Sequence, residues 1–180
     1  MIDLSKLSIL MGAVMILLDG AGLLKPATMR ALIKAFPRNR PAAWILTTID
    51  LIWAGILLNQ APLGRFDSFK PFLYVLVPVA ILLVGFFVDE LLAPRALGGL
   101  FLLIATPILD IARWHDSPAR LIVTVLAYLI VIKGLVLVIA PYKVRLTSER
   151  FLNTDARCRL ACGAGTLIGA ILIGLGFFVY

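Results

Sequence analysis

Three ionisable side chains of this chain lie inside apolar stretches that are long enough to cross a membrane. Asp19, Asp50 and Lys133 each have aliphatic residues on both sides in the sequence. At about 1.5 Å of helix per residue, each lies roughly 10–12 Å from the nearest end of its stretch, which places the three at a similar depth. A charge at that depth costs a few kcal/mol unless it is paired, hydrated or neutralised. We therefore predict that the three form an intramembrane charge cluster.

Two carboxylates and one ammonium cannot neutralise one another completely. If Lys133 pairs with one aspartate, the other must be protonated, bind a cation or contact a basic group of another chain. A protonatable carboxyl within the bilayer is what a proton or cation pathway requires. A structural ion pair beside a neutral, hydrogen-bonded aspartic acid explains the same residues, as does a contact with another subunit. These three interpretations stay open.

Histidine and cysteine supply few candidates for a metal or cofactor site. His115 is the only histidine. It is a candidate ligand for the metal of a haem or chlorophyll, but its place at the edge of an apolar stretch favours a solvated loop. Cys158 and Cys162 lie one helical turn apart, a spacing that lacks two further ligands for zinc and differs from the C-x-x-C redox motif, so free thiols are expected. We predict no metal and no cofactor.

The signatures of common enzyme classes are missing from the sequence. It contains no Walker loop, no H-E-x-x-H motif and no G-x-S-x-G motif. Its serines all lie outside the apolar stretches or at their ends, so no buried serine nucleophile is evident. We predict that the chain is not an enzyme.

Six apolar stretches must position these residues. Hydrophobic residues make up 62% of the chain and charged residues 15%, against about 45–50% and about 25% in soluble domains. Most stretches approach the roughly 17–25 residues that a spanning helix needs. The sequence predicts an all-α polytopic membrane protein, a single transmembrane domain over 1–180, with six transmembrane helices arranged as three hairpins. Their predicted ranges are about 8–24, 42–58, 71–88, 96–111, 119–140 and 160–180.

The net charge of +7 comes from basic residues beside helix ends rather than on a soluble face, which argues against a nucleic-acid partner. The two longest connections carry most of these residues, as cytoplasmic loops do. Both termini are therefore expected on the outer side. Residues 27–36 also read as an amphipathic helix in the headgroup plane. The residues predicted to contact lipid headgroups are Arg30, Lys34, Arg38, Arg40, Arg145 and Arg150.

The sixth stretch carries small residues at four-residue spacing, namely Ala161, Gly165 and Gly169. Small residues at this spacing allow two helix backbones to approach closely in lipid. We predict that this face packs against another helix. Whether that helix belongs to the same chain or to a neighbour stays open.

The first third of the chain resembles the short two-helix inner-membrane proteins of unknown function that are found in many bacteria. The resemblance lies in the segment Asp19-Gly-Ala-Gly-Leu-Leu-Lys-Pro26, followed by Arg30 and a second apolar helix with Gly55. Asp19 stands where a glutamate is expected in that family, and the last hairpin shares part of the pattern. The resemblance implies a bacterial inner membrane and no activity. In that membrane the outer side, where the charge distribution places both termini, is the periplasm.

These observations favour a non-enzymatic integral membrane subunit of a larger energy-transducing or envelope complex. Its expected partners are the lipid bilayer and other membrane subunits. The alternative is a small proton- or cation-coupled transporter that uses Asp19 and Asp50 with Lys133 as counter-charge.

Overall fold

The computed structural model describes residues 3–62, 64–87, 91–142, 146 and 154–180 of the chain. These residues are almost entirely helical and contain no strand. The helices are α1 (Leu4–Leu24), α2 (Pro26–Ala35), α3 (Arg40–Gln60), α4 (Leu73–Phe87), α5 (Leu92–Arg113), α6 (Arg120–Ile139) and α7 (Asp155–Phe178). Short 3-10 helices precede α3 (Phe36–Arg38) and α4 (Gly64–Phe72).

All of these helices except α2 are long and apolar enough to cross a membrane, when the α4 span is counted from Asp67. The predicted all-α polytopic fold with six spans is confirmed. Some helices begin earlier than predicted: α1 begins at Leu4 and α7 at Asp155. Hydropathy marks only the apolar part of a helix, whereas polar caps extend it. The Asp3 carboxylate, for example, accepts a hydrogen bond of 2.8 Å from the backbone N–H of Leu4.

Helices that follow one another in the chain are not always the closest neighbours in space. The most extensive contacts join α1 to α7 and α5 to α6, while α3 packs on α5 and α4 packs on α3. Among the described residues, none of the three predicted hairpins is held together mainly by contacts between its own two helices. Lipid provides no hydrophobic driving force between apolar helices, so small residues decide which backbones approach one another.

Pairs of glycines mark the two most extensive contacts. A Cβ atom on Gly169 of α7 would lie 2.8 Å from the carbonyl oxygen of Gly12 of α1. In the same way, a Cβ atom on Gly98 of α5 would lie 2.7 Å from the carbonyl oxygen of Gly134 of α6. Any larger residue at these positions would separate the helices, because real Cβ atoms do not approach backbone oxygens this closely.

Two serines of α1 add hydrogen bonds to the contact with α7. Ser5 Oγ donates to the carbonyl oxygen of Gly176, and Ser8 Oγ donates to that of Leu172, both at 2.7 Å. Ser8 is completely buried, rather than lying at the end of a span, because α1 begins four residues before it. Its hydroxyl therefore serves the packing of two helices.

Burial differs greatly among the spans. We call the end of the bundle that carries both chain termini the terminal end, and the opposite end, which carries α2, the α2 end. A core cluster near the terminal end joins α1, α5, α6 and α7 through Leu7, Ile108, Val123 and Leu172. In the most apolar 18-residue stretch of α5, 39% of the residues are buried, whereas only 6% are buried in the corresponding stretch of the α4 span. α5 is therefore the central helix, and α4 is peripheral.

Candidate functional site

Asp19 lies on α1 against the small-residue face of α7. A Cβ atom on Gly165 would overlap the Asp19 carboxylate, so the missing side chain of Gly165 makes room for this charge. Lys133 of α6 is the basic group whose field acts on the carboxylate. No direct ion pair joins the two in the described part of the chain. The Lys133 side chain is exposed. Its ammonium must therefore be balanced by a carboxylate that it does not contact directly, or by a negative group outside this chain.

Asp50 lies on α3 with one carboxylate oxygen directed at α5. A Cβ atom on Gly99 would lie 2.8 Å from Asp50 Oδ2. Asp50 Oδ1 is buried and has no hydrogen-bond partner among the described residues, and the same is true of Thr47 Oγ1, one turn earlier. Each buried acceptor without a donor costs about 1–3 kcal/mol. A proton, a water molecule or a cation between them would offset this cost.

The two aspartates of the predicted charge cluster lie against different helices. Asp19 and Lys133 share one electrostatic neighbourhood, whereas Asp50 faces α5 together with Thr47. Asp50 lies against Gly99 because α3 packs on α5. No protein-family model, no curated protein and no solved structure matches this chain.

The sequence analysis identified Gly165, which faces Asp19, as a packing residue, but it missed the two residues beside Asp50. Thr47 precedes Asp50 by three positions, which is the spacing that puts two side chains on one helix face. Gly99 belongs to the only Gly-Gly doublet of the chain. That doublet was the available signal that another helix approaches α5 closely at this position.

The predicted packing residues of α7 do not all face the same way. Gly169 faces Gly12 and Gly165 faces Asp19, so the helix against which this face packs belongs to the same chain. Ala161 is exposed. Towards the α2 end the contact with α1 runs through Cys162 instead, whose sulfur occupies the space beside Gly22.

The residues predicted to contact lipid headgroups differ in their surroundings. Arg30 is largely covered and forms an ion pair with Asp155 at the start of α7, because α2 lies against that end of α7. Arg30 is thus engaged within the protein instead of facing only headgroups. Three others are exposed, consistent with the prediction: Lys34, Arg38 and Arg40. The remaining two lie outside the described residues: Arg145 and Arg150.

His115 is part of a packed corner at the terminal end. Its ring meets the ring of Tyr180 edge to face at 5.3 Å, and its Nδ1 accepts a hydrogen bond from the backbone N–H of Ser117. Tyr180 Oη donates to the carbonyl oxygen of Ala119 at 2.6 Å. His115 lies in the loop between α5 and α6, and its ring is partly covered by that of Tyr180.

The described residues contain no group of three or more His, Cys, Asp or Glu side chains that could hold a metal ion. Cys158 and Cys162 are both free and buried. The chemistry within reach of the described residues is thus that of two carboxyl groups, one ammonium and two thiols within a helical bundle.

Proposed function

We propose that this chain is a non-enzymatic integral membrane subunit of a larger energy-transducing or envelope assembly. The observation that carries the proposal is the peripheral position of α4, which packs mainly on α3 and is buried over only 6% of its most apolar window. Many side chains of α4 are exposed, and four of them lie along one side of the helix. We call these four the α4 face: Val75, Val79, Leu82 and Phe86. A partner helix on the α4 face explains why the chain retains a span that adds so little to its own packing.

α4 is held in place by contacts with α3, one of which involves Phe86 of the α4 face. The indole ring of Trp44 fills the space beside Gly85 and packs edge to face against Phe86, with ring centroids 5.4 Å apart. Val77 fills the space beside Gly55 of α3. A surface that is already ordered loses less conformational entropy when a partner binds. The packing therefore supports a docking role for α4.

A groove between α3 and α4 adjoins the α4 face. It has a volume of about 360 Å³ and is lined mostly by apolar side chains, with Asn59, Gln60 and Tyr74 near the terminal end. Apolar walls with a few polar groups suit the side chain of a partner helix whose end reaches the membrane surface. The groove and the α4 face together form one continuous lateral surface.

The proposal places the chain in a bacterial inner membrane, with the α2 end in the cytoplasm and the termini in the periplasm. Exposed basic residues at the α2 end include Lys25, Lys34, Arg38, Arg40, Arg95, Arg157 and Arg159. Such an excess is typical of cytoplasmic loops. The resemblance of the first hairpin to two-helix inner-membrane proteins points to the same membrane.

Purification of the full chain from its native membrane in a mild detergent tests the subunit proposal. We expect other membrane proteins to co-purify in a fixed ratio. Val79→Trp places a large ring on the α4 face and should abolish this co-purification. Val125→Trp is the matched control, because Val125 is an equally apolar, exposed residue on α6. Recovery of the wild-type chain alone, or equal behaviour of the two variants, contradicts the proposal.

A second candidate, a small proton- or cation-coupled transporter, is favoured by one specific observation. Asp50 Oδ1 and Thr47 Oγ1 are buried on the same face of α3 without hydrogen-bond partners in the described part of the chain. Paired oxygen atoms of this kind are where a proton or a small cation would bind. Asp19 with Lys133 would then provide the second charged site of the pathway.

Ion flux into liposomes that contain the purified chain tests the transporter. The candidate predicts proton or Na⁺ flux that Asp50→Asn abolishes and Asp19→Asn reduces. Asp110→Asn is the control, because Asp110 is an exposed carboxylate at the end of α5. Flux that persists in the double variant Asp19→Asn, Asp50→Asn removes the candidate, and absence of any flux in the wild type favours the subunit.

A further inference from the structure

Three sulfur-containing side chains come together beneath α2. Cys158 and Cys162 lie one turn apart on α7, and both are buried with free thiols. Cys158 is 0% exposed, and its Sγ lies 3.9 Å from the carbonyl oxygen of Pro26, at the start of α2. The two sulfurs are therefore enclosed between α7 and the turn that joins α1 to α2.

Met29 of α2 reaches the same place through the gap left by Gly22 of α1. Cys162 Sγ and Met29 Cγ both lie within 3.3 Å of the point where a side chain on Gly22 would begin. Met29 is half-buried. Three helices thus meet at this place, and sulfur-containing side chains from two of them lie against Gly22 of the third.

Thiol and thioether sulfurs are soft ligands that select Cu(I) over the harder divalent metals. Cu(I) accepts two or three such ligands, whereas a structural zinc site needs four. The described residues provide no group of three His, Cys, Asp or Glu side chains, which argues against a zinc site. We propose that Cys158, Cys162 and Met29 form a binding site for Cu(I), with the two thiolates as primary ligands and the thioether as the third.

Binding of Cu(I) at this site balances in atoms and electrons. One Cu⁺ and two thiols form two Cu–S bonds, two S–H bonds break, and two protons pass to the solvent, with no change in oxidation state.

Competition with a Cu(I) chelator, bicinchoninate, tests the site on the full chain in detergent under anaerobic, reducing conditions. We expect one Cu(I) per wild-type chain and none in the double variant Cys158→Ser, Cys162→Ser. Met29→Leu keeps the volume and should weaken binding by at least the roughly tenfold typical of losing an outer-shell partner. Met15→Leu is the matched control, because Met15 belongs to the core near the terminal end.

X-ray absorption at the copper edge gives the second readout, and we expect sulfur neighbours only. Thermal unfolding of each variant without copper shows whether the variant is folded. If the cysteine variants are not folded, Met29→Leu still tests the site. The proposal is overturned if wild type binds Cu(I) no more tightly than Met29→Leu, if the metal has nitrogen or oxygen neighbours, or if Zn²⁺ competes equally.

Discussion

Gly165 of α7 lies directly against the Asp19 carboxylate of α1, and a side chain at position 165 would occupy the space of that charge. The contact lies in the most extensive helix pair of the protein. A small residue on one helix thus determines where an intramembrane charge on the other can be placed. This relationship makes the α1–α7 contact sensitive to the addition of a single methyl group.

Gly165→Ala is expected to destabilise the fold by about 1–3 kcal/mol, because the added methyl must displace Asp19 or separate the helices. Equilibrium unfolding in detergent measures the loss. Gly174→Ala on the same helix is the control, since no atom lies within 4 Å of the position of its Cβ. Adding Asp19→Ala should recover part of the loss, so that the two effects are not additive. Equal losses for the two glycine variants would contradict this account.

The number and position of the spans were predictable from the sequence, whereas the pairing of helices was not. Length and hydropathy suffice to identify a spanning helix, because the bilayer fixes both. They do not distinguish one apolar neighbour from another. α1 pairs with α7 because Gly12 meets Gly169, and the partner of a glycine cannot be read from either helix alone.

The same limit applies to the candidate site. The cost of charge in lipid identified Asp19, Asp50 and Lys133 without any structure. The sequence did not show that Asp50 turns towards Gly99, because that depends on the packing of α3 on α5. Tyr180 and His115 are likewise far apart in the chain, and only the return of α7 to the terminal end brings their rings together.

The Arg30–Asp155 ion pair should fasten α2 to α7. It is only partly buried, with 24% and 55% of the two side chains exposed, so we expect a contribution of at most about 1 kcal/mol. Arg30→Asp should lower the melting temperature slightly, and the exchanged pair Arg30→Asp, Asp155→Arg should restore it. The difference should shrink as NaCl is raised. Lys34→Asp is the control on the same helix, and an equal loss there would show that the charge of α2 matters rather than this pair.

Stability at the terminal end should depend on pH through Tyr180. Burial raises the pKa of the Tyr180 phenol above its ordinary value, which is about 10. The folded protein therefore favours the neutral phenol. The resulting contribution to the free energy of unfolding is complete below the pKa of Tyr180 in the unfolded state and is lost as the pH rises above that value. The melting temperature should fall above about pH 10. Tyr180→Phe should be less stable at neutral pH, because it lacks the hydrogen bond to Ala119, and should fall less steeply; an equal slope would contradict the assignment.

Thr47→Val separates the two candidate functions through stability alone. Thr47 Oγ1 is buried without a partner among the described residues, and replacing such a hydroxyl with a methyl group of the same shape removes a desolvation cost of about 1–3 kcal/mol. We therefore expect Thr47→Val to raise the melting temperature. Thr166→Val is the control, because the Thr166 hydroxyl donates to the Cys162 carbonyl oxygen at 2.9 Å and would lose that bond. A lower melting temperature for Thr47→Val, above all one that depends on Na⁺, would mean that a bound ligand satisfies the hydroxyl beside Asp50, and would favour the transporter over the subunit.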